Sequence, residues 1–272
     1  MNDTAHLALT ETTRDELRER IGLARDRFDR LIRTADPLAR PPGMDWTVQQ
    51  VGAHVLSVAH RYRQVARGLG YRRAVDPADM RVINQEEMEA VMAPVPDIAD
   101  QLRALEAEMD AACDRLHDDP QEFPFHMGVM VNCAQGEANW IGELLVHGLD
   151  IARAVNVPWQ ISERDALLIL SNAIPRCHAF VRRGLSPDVD ICVGFKIPAA
   201  PHFVIHVHGG TAEVRPYRPS DCPDAVFRAP ASTVVTMLYG RIGPWAAVRQ
   251  GLRVGGRRPW EALRFQSCFE TG

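Results

Sequence analysis

The stretch Gly142-Glu143-Leu144-Leu145-Val146-His147-Gly148-Leu149-Asp150-Ile151-Ala152-Arg153 constrains the fold more than any other. Wound as a helix at ~100° per residue, it sets Asn139, Glu143, His147 and Asp150 along one narrow polar stripe. Trp140, Ile141, Leu144, Leu145, Leu149 and Ile151 cover most of the remaining surface. A helix that is apolar nearly all round belongs inside a protein. A carboxylate and an imidazole one turn apart in such a place need a partner, because an unpaired buried charge is costly. A metal ion is one such partner.

The other segments supply the neighbours this helix needs. Leu17, Ile21, Ala24, Phe28, Leu31 and Ile32 recur at three-and-four spacing and predict an amphipathic helix over 10–34. Thr47 followed three residues later by Gln50 fits a capping box, so a second helix is expected from there to about 69. Its inward stripe is Val51, Val55, Val58, Tyr62, Val65 and Leu69, with His54 on the edge and Arg61 two turns beyond on nearly the same line. His60 falls on the opposite side with Gln49, Arg63 and Arg67. A polar segment over 83–92, broken by Pro94 and Pro96, precedes a third long helix over 97–116, which Asp118-Asp119-Pro120 ends. Phe123-Pro124-Phe125-His126 reads as a loop or extended link, and the organising helix as 134–155. Four long helices with modest connections suggest an antiparallel bundle, in which sites are built from side chains on facing helices.

After a further helix over 162–183 the texture changes. Residues 190–195, 203–208, 212–217 and 225–228 are short β-rich runs, the middle pair joined by Gly209-Gly210. Helices are expected again over 231–239, 244–250 and 260–269. The expected class is therefore α+β, with a helical domain over 1–186 and a smaller mixed domain over 187–272.

Composition narrows the function. In 272 residues, 46% hydrophobic and 24% charged is ordinary for a soluble globular protein. A formal charge of −4 gives no reason to expect nucleic acid. No run approaches the ~18 apolar residues of a membrane span, and the polar, acidic start lacks a secretory pattern, so a cytoplasmic protein is expected. The six cysteines include no C-x-x-C pair and read as reduced structural thiols rather than a disulfide or zinc framework.

A Glu-x-x-x-His pair alone is weak evidence, since on a solvated helix it is worth only ~0.2–0.5 kcal/mol and recurs by chance. The inward position of His54 on a second helix strengthens it, because two imidazoles and a carboxylate are a common donor set for zinc, iron and similar ions. Asp150, one turn past His147, either hydrogen-bonds a ligand imidazole or is a solvated aspartate. His202, His206 and His208 share one face of an extended run, as a second metal cluster or as a polar sheet face. Gly251, Gly255 and Gly256 lack the setting of a phosphate loop. Arg61, Arg153, Arg241 and Arg253 are candidate anion clamps or surface charges. No nucleophile elbow or dinucleotide fingerprint is present.

Two motifs carry a family resemblance. Trp46-Thr47-Val48-Gln49-Gln50-Val51-Gly52-Ala53-His54 together with the 142–153 helix resembles the mycothiol-dependent maleylpyruvate isomerase family. The resemblance implies a DinB-like four-helix bundle with a divalent metal, zinc above all, held by His54, Glu143 and His147. It also implies a sterol-carrier-like α+β domain from about Phe203 through Gly240-Arg241 to Gly256, and a low-molecular-weight thiol, mycothiol, as cofactor. The expected activity is thiol S-transfer or isomerisation of a small electrophilic metabolite. Arg61, Asn139, Asp150, Arg241 and Arg253 would then orient ligands or hold substrate. Two other readings stay open: a non-haem Fe(II) enzyme that activates oxygen, and a non-catalytic module binding a metal and a small ligand. No nucleic acid or membrane partner is expected, and a homodimer is left open.

Overall fold

The computed structural model describes residues 9–117 and 121–270. Among the described residues the contacts form two compact units: Thr12–Ile161, and residues 162–270 together with 9–11.

The first unit is the helical bundle. Helix α1 (Arg14–Thr34) starts at Thr13, whose hydroxyl accepts from the Glu16 N–H, with Asp15 and Glu16 facing the positive end of the helix dipole. Helix α2 (Val48–Ala66) starts at the Thr47–Gln50 capping box that the sequence announces. Helix α3 (Pro77–Ala90) occupies the polar segment for which no long helix was expected. Its start signals are an Asp76 cap and Pro77 in the first turn, but it buries only Pro77, Ile83 and Met88, too few to betray a periodic face. Helix α4 (Val95–Leu116) follows; the Asp118-Asp119-Pro120 stop lies outside the described residues.

The expected link at Phe123 is a short hairpin, in which β1 (Phe123–Pro124) pairs antiparallel with β2 (Met130–Val131). Met127 and Gly128, both with positive φ, turn the chain between them. Helix α5 (Cys133–Ala154) begins at a second capping box, Asn132 with Gln135. In the bundle α1 packs chiefly on α5 and α2 on α4, with α3 lying against α2. Helix α5 is buried almost all round, including Trp140, Ile141, Leu144, Leu145 and Ile151.

Gly148 shows how tightly α5 is enclosed. A Cβ at this position would collide with the Trp159 ring, which is pinned by its Nε1–H donating to the Leu145 carbonyl at 2.9 Å and by Arg27 over its face at 4.2 Å. Gly148→Ala is expected to destabilise the protein by about 1–3 kcal/mol through overpacking, read as a lower denaturant midpoint. An unchanged midpoint would show that the indole moves freely.

The second unit begins with α6 (Glu163–Ala173) and a 3-10 segment, Ile174–Phe180. A five-stranded sheet follows, formed by β3 (Ile191–Lys196), β4 (Phe203–His208), β5 (Thr211–Pro216), β6 (Ala225–Arg228) and β7 (Arg253–Gly255) in the order β5-β4-β3-β6-β7. Neighbours are antiparallel except β3 and β6. Helices α7 (Ala231–Leu238), α8 (Pro244–Arg249) and α9 (Glu261–Ser267) complete it. The α+β class expected from the sequence is the class observed.

The division at Ile161 and Ser162 differs from the 186/187 boundary, and α6 supplies the reason. It packs on α7, and its Glu163 carboxylate accepts the Ala231 N–H at 2.7 Å, capping that helix. Of the three glycines at 251, 255 and 256, the first lies in the turn before edge strand β7, the second ends that strand and the third follows it. At Gly256, with φ +107, a Cβ would stand 2.6 Å from the Asp224 carbonyl, so this site admits glycine alone. Among the described residues no helix is long and apolar enough to cross a membrane.

Candidate metal centre

Helix α2 delivers His54 and helix α5 delivers Glu143 and His147, and the packing of these helices brings one ligand atom from each to within 4.8 Å of the others. Oε2 of Glu143 is the shared point, 3.5 Å from His147 Nε2 and 3.9 Å from His54 Nε2. The two imidazoles meet edge to face with centroids 4.9 Å apart. His54 is buried, while Glu143 and His147 keep side-chain exposures of 23% and 13%, so the cluster is reachable.

Each donor is oriented by a further partner. His147 Nδ1 stands 3.1 Å from Asp150 Oδ2, which turns Nε2 toward the cluster. Asn139 Nδ2 donates to Glu143 Oε1 at 3.3 Å and to the Tyr62 hydroxyl at 2.9 Å, leaving Oε2 for the imidazoles. The Trp46 ring lies 5.0 Å from the His54 ring. The four residues of the polar stripe thus form a continuous hydrogen-bonded line.

Charge follows the same geometry. Burial acts to raise the Glu143 pKa, but the hydrogen bond to His147 and the positive charges of His147, His54 and Arg61 bring it down to about 2. Burial acts to lower His147, yet Asp150 and Glu143 raise it to about 9. Without an ion the pair is carboxylate and imidazolium. The donor set fits a divalent metal. With bonds of ~2.0–2.1 Å, tetrahedral ligand atoms stand roughly 3.3 Å apart, so the observed separations need only a small inward movement once the proton on His147 leaves.

Arg61 is on α2 as expected, held by Glu87 at 2.6 Å and Asn84 at 2.8 Å, with His126 Nε2 at 3.3 Å. Glu87 and Asn84 both come from α3, which also supplies Gln85 to the Trp46 indole N–H at 2.7 Å. Sequence reasoning missed α3, Trp46 and Tyr62 as parts of this surround. Only the Asp76-Pro77 start and the position of Trp46 just before a capped helix could have signalled them.

Arg241 and Arg253 lie in the second unit, where they donate to backbone carbonyls of Tyr239 and of Val248 and Leu252. The histidines of β4 form no metal-spaced group among the described residues. His206 bonds Asp190 at 2.6 Å, and His208 stands 3.9 Å from Glu213. His60 is half-buried beside Arg63, and burial and that charge lower its pKa.

If Asp150 steadies His147, Asp150→Asn should weaken metal binding about 10–100-fold with the helical content kept. Competition against a chromophoric chelator measures it, and wild-type affinity in the variant would remove Asp150 from that role.

Comparison with known proteins adds a family and a fold. Residues 8–152 match the family model described as the mycothiol maleylpyruvate isomerase N-terminal domain. The crystal structure of the mycothiol-dependent maleylpyruvate isomerase superposes with a TM-score of 0.56 at 17% identity, covering 90% of this chain and 96% of that one. A histidine-to-alanine mutant of that enzyme gives a TM-score of 0.55 at 16% identity, covering 85% and 93%. At these identities the superpositions establish a shared fold. No protein of curated function matches the chain by sequence.

Proposed function

Since the chain belongs to the mycothiol maleylpyruvate isomerase N-terminal domain family, we propose that it is an enzyme that uses mycothiol or a similar small thiol on an electrophilic metabolite, with a divalent metal, zinc in the first place, held by His54, Glu143 and His147. The observation that carries this reading is the convergence of two imidazoles on Glu143 Oε2 from two packed helices.

A metal with an open coordination position favours the thiolate form of a bound thiol near neutral pH. The residues of this chain do the rest. Asp150 holds the His147 ring with Nε2 inward, and Asn139 with Tyr62 holds the Glu143 carboxylate so that one oxygen faces the imidazoles. The Trp46 ring stands against His54, centroids 5.0 Å apart, and helps hold that imidazole in place. Arg61, fixed by Glu87 and Asn84, keeps a positive charge whose field reaches Glu143 and suits an anionic group on substrate or thiol. S-transfer and isomerisation both begin with thiolate attack on carbon; they differ in whether the thiol stays or leaves.

Calorimetric titration of mycothiol into zinc-loaded and chelator-stripped protein tests the reading. Binding that requires zinc supports it. Equal binding with and without zinc refutes the role of the metal, and no binding to either form refutes the role of the thiol.

A further inference from the structure

The helical unit contains a second group of metal-type donors that the proposed activity does not use. Helix α4 carries Cys113 in its last turn and is followed by His117 at its C-cap, while α5 starts with Cys133 and, one turn later, Glu137. Cys113 Sγ, Cys133 Sγ and a Glu137 oxygen lie within 4.8 Å of one another. Cys133 Sγ is 3.9 Å and His117 Nδ1 is 3.4 Å from Glu137 Oε2.

We propose that Cys113, Cys133 and Glu137, with His117 beside them as the fourth donor, bind a soft divalent ion of the zinc class. The chemistry of the donors selects the ion, since thiolate sulfur with nitrogen or one carboxylate oxygen favours zinc over magnesium or calcium. With metal–sulfur bonds of ~2.3 Å, two tetrahedral sulfurs stand roughly 3.8 Å apart, so the cluster is within small side-chain movements of enclosing an ion.

The two oxygens of Glu137 are already divided. Oε1 faces Arg14 Nη1 at 2.9 Å, while Oε2 faces His117 and Cys133. Arg14 therefore offsets the carboxylate and presents one oxygen to the cluster, as outer partners of metal ligands do. The two thiols, losing their protons to solvent on binding, supply the two negative charges that offset a divalent ion. Glu137 is 4% exposed and Cys133 is 9% exposed. Cys113 and His117 are half-buried beside them. A set of four protein donors, leaving no position for substrate, is the pattern of a structural site. Here it would tie the end of α4 to the start of α5.

Glu137 and Glu143 are six positions apart on one helix, so about 9 Å of axial rise separates the two clusters, and they can be told apart by their donors. The probe is Co(II), titrated into the reduced full chain. Thiolate ligands give an intense near-ultraviolet sulfur-to-metal charge-transfer band, which nitrogen and oxygen ligands do not. The band is expected in wild type and in His147→Ala, and is expected to disappear in Cys133→Ser and in Cys113→Ser. Cys133→Ala serves if the serine variant folds poorly by circular dichroism. A wild type without the band at saturating Co(II), a band that survives both cysteine substitutions, or two thiols lost to a disulfide with no metal bound would each overturn the proposal.

Discussion

His147→Ala is expected to weaken zinc binding at the His54–Glu143–His147 cluster by more than about 100-fold while leaving the helical signal unchanged. Loss of an outer partner of a ligand costs about 10–100-fold, and loss of a ligand itself should exceed that. The bundle should survive, because His147 retains 13% side-chain exposure and its removal opens a space that is partly reached by solvent.

The pH dependence has a definite sign. In the metal-free protein His147 holds its proton up to about 9, so an entering ion must displace it, and affinity should fall about tenfold for each unit of pH below that value. Glu143, held down at about 2, remains ionised throughout. Zinc competition between about pH 6 and 8, on wild type and variant, measures both effects. A flat profile in the wild type would show that His147 is not displaced from its proton, and so is not a ligand. The same pair stabilises the metal-free fold from both sides. The Glu143 contribution is present above the ordinary value of 4.5 and lost as pH falls through about 2, while that of His147 is present below 6.5 and lost as pH rises through about 9.

Glu106→Gln is expected to stabilise the protein at pH 8 by up to about 3 kcal/mol. Glu106 is 4% exposed. Burial pushes its pKa up to about 7, against the opposing pull of the Arg25 charge and the Trp140 hydrogen bond. The Trp140 Nε1–H donates to Oε1 at 3.1 Å, and Arg25 Nε is 3.9 Å from Oε2. A carboxyl that binds its proton more tightly when folded loses stability as pH rises from 4.5 to about 7. Glutamine keeps the acceptor for Trp140 and removes the ionisation, so the gain should be full at pH 8 and vanish near pH 4.5. Urea midpoints at the two pH values, with unchanged slopes, test this. Equal midpoints at pH 8 would mean that the folded protein ionises Glu106 without cost.

What the sequence disclosed depended on how local each signal was. The two ends of the stripe argument, a helix apolar all round and a line of four polar side chains, need only helical winding, so α5 could be read directly from its residues. The start of α2 was equally legible, because the Thr47–Gln50 box is complete within four residues. Helix α3 was not, since it buries too little to show a period. Its task is to hold Trp46 and Arg61 through Gln85, Glu87 and Asn84, contacts that exist only after folding. The six cysteines are free thiols, as expected, but the grouping of two of them with Glu137 was hidden for a related reason. Cys113 and Cys133 are 20 positions apart, and only the approach of the end of α4 to the start of α5 brings their sulfurs and Glu137 together, with His117 beside Glu137. The chain division at Ile161 was hidden because the capping of α7 by Glu163 spans 68 positions.

The residues at 9–11 have a consequence for the order in which the molecule is made. Leu9 is fully buried, and Arg164 holds Thr10 and the Glu11 carbonyl across more than 150 positions, inside the unit that starts at Ser162. On the ribosome the bundle over Thr12–Ile161 can therefore close before its own lead-in segment has a place to go. Contacts so distant in sequence form late, because the loop-closure entropy must be met before they return anything. This segment emerges before the bundle yet is among the last to dock, and deleting residues 9–11 should leave the helices folded while loosening the sheet unit made after them.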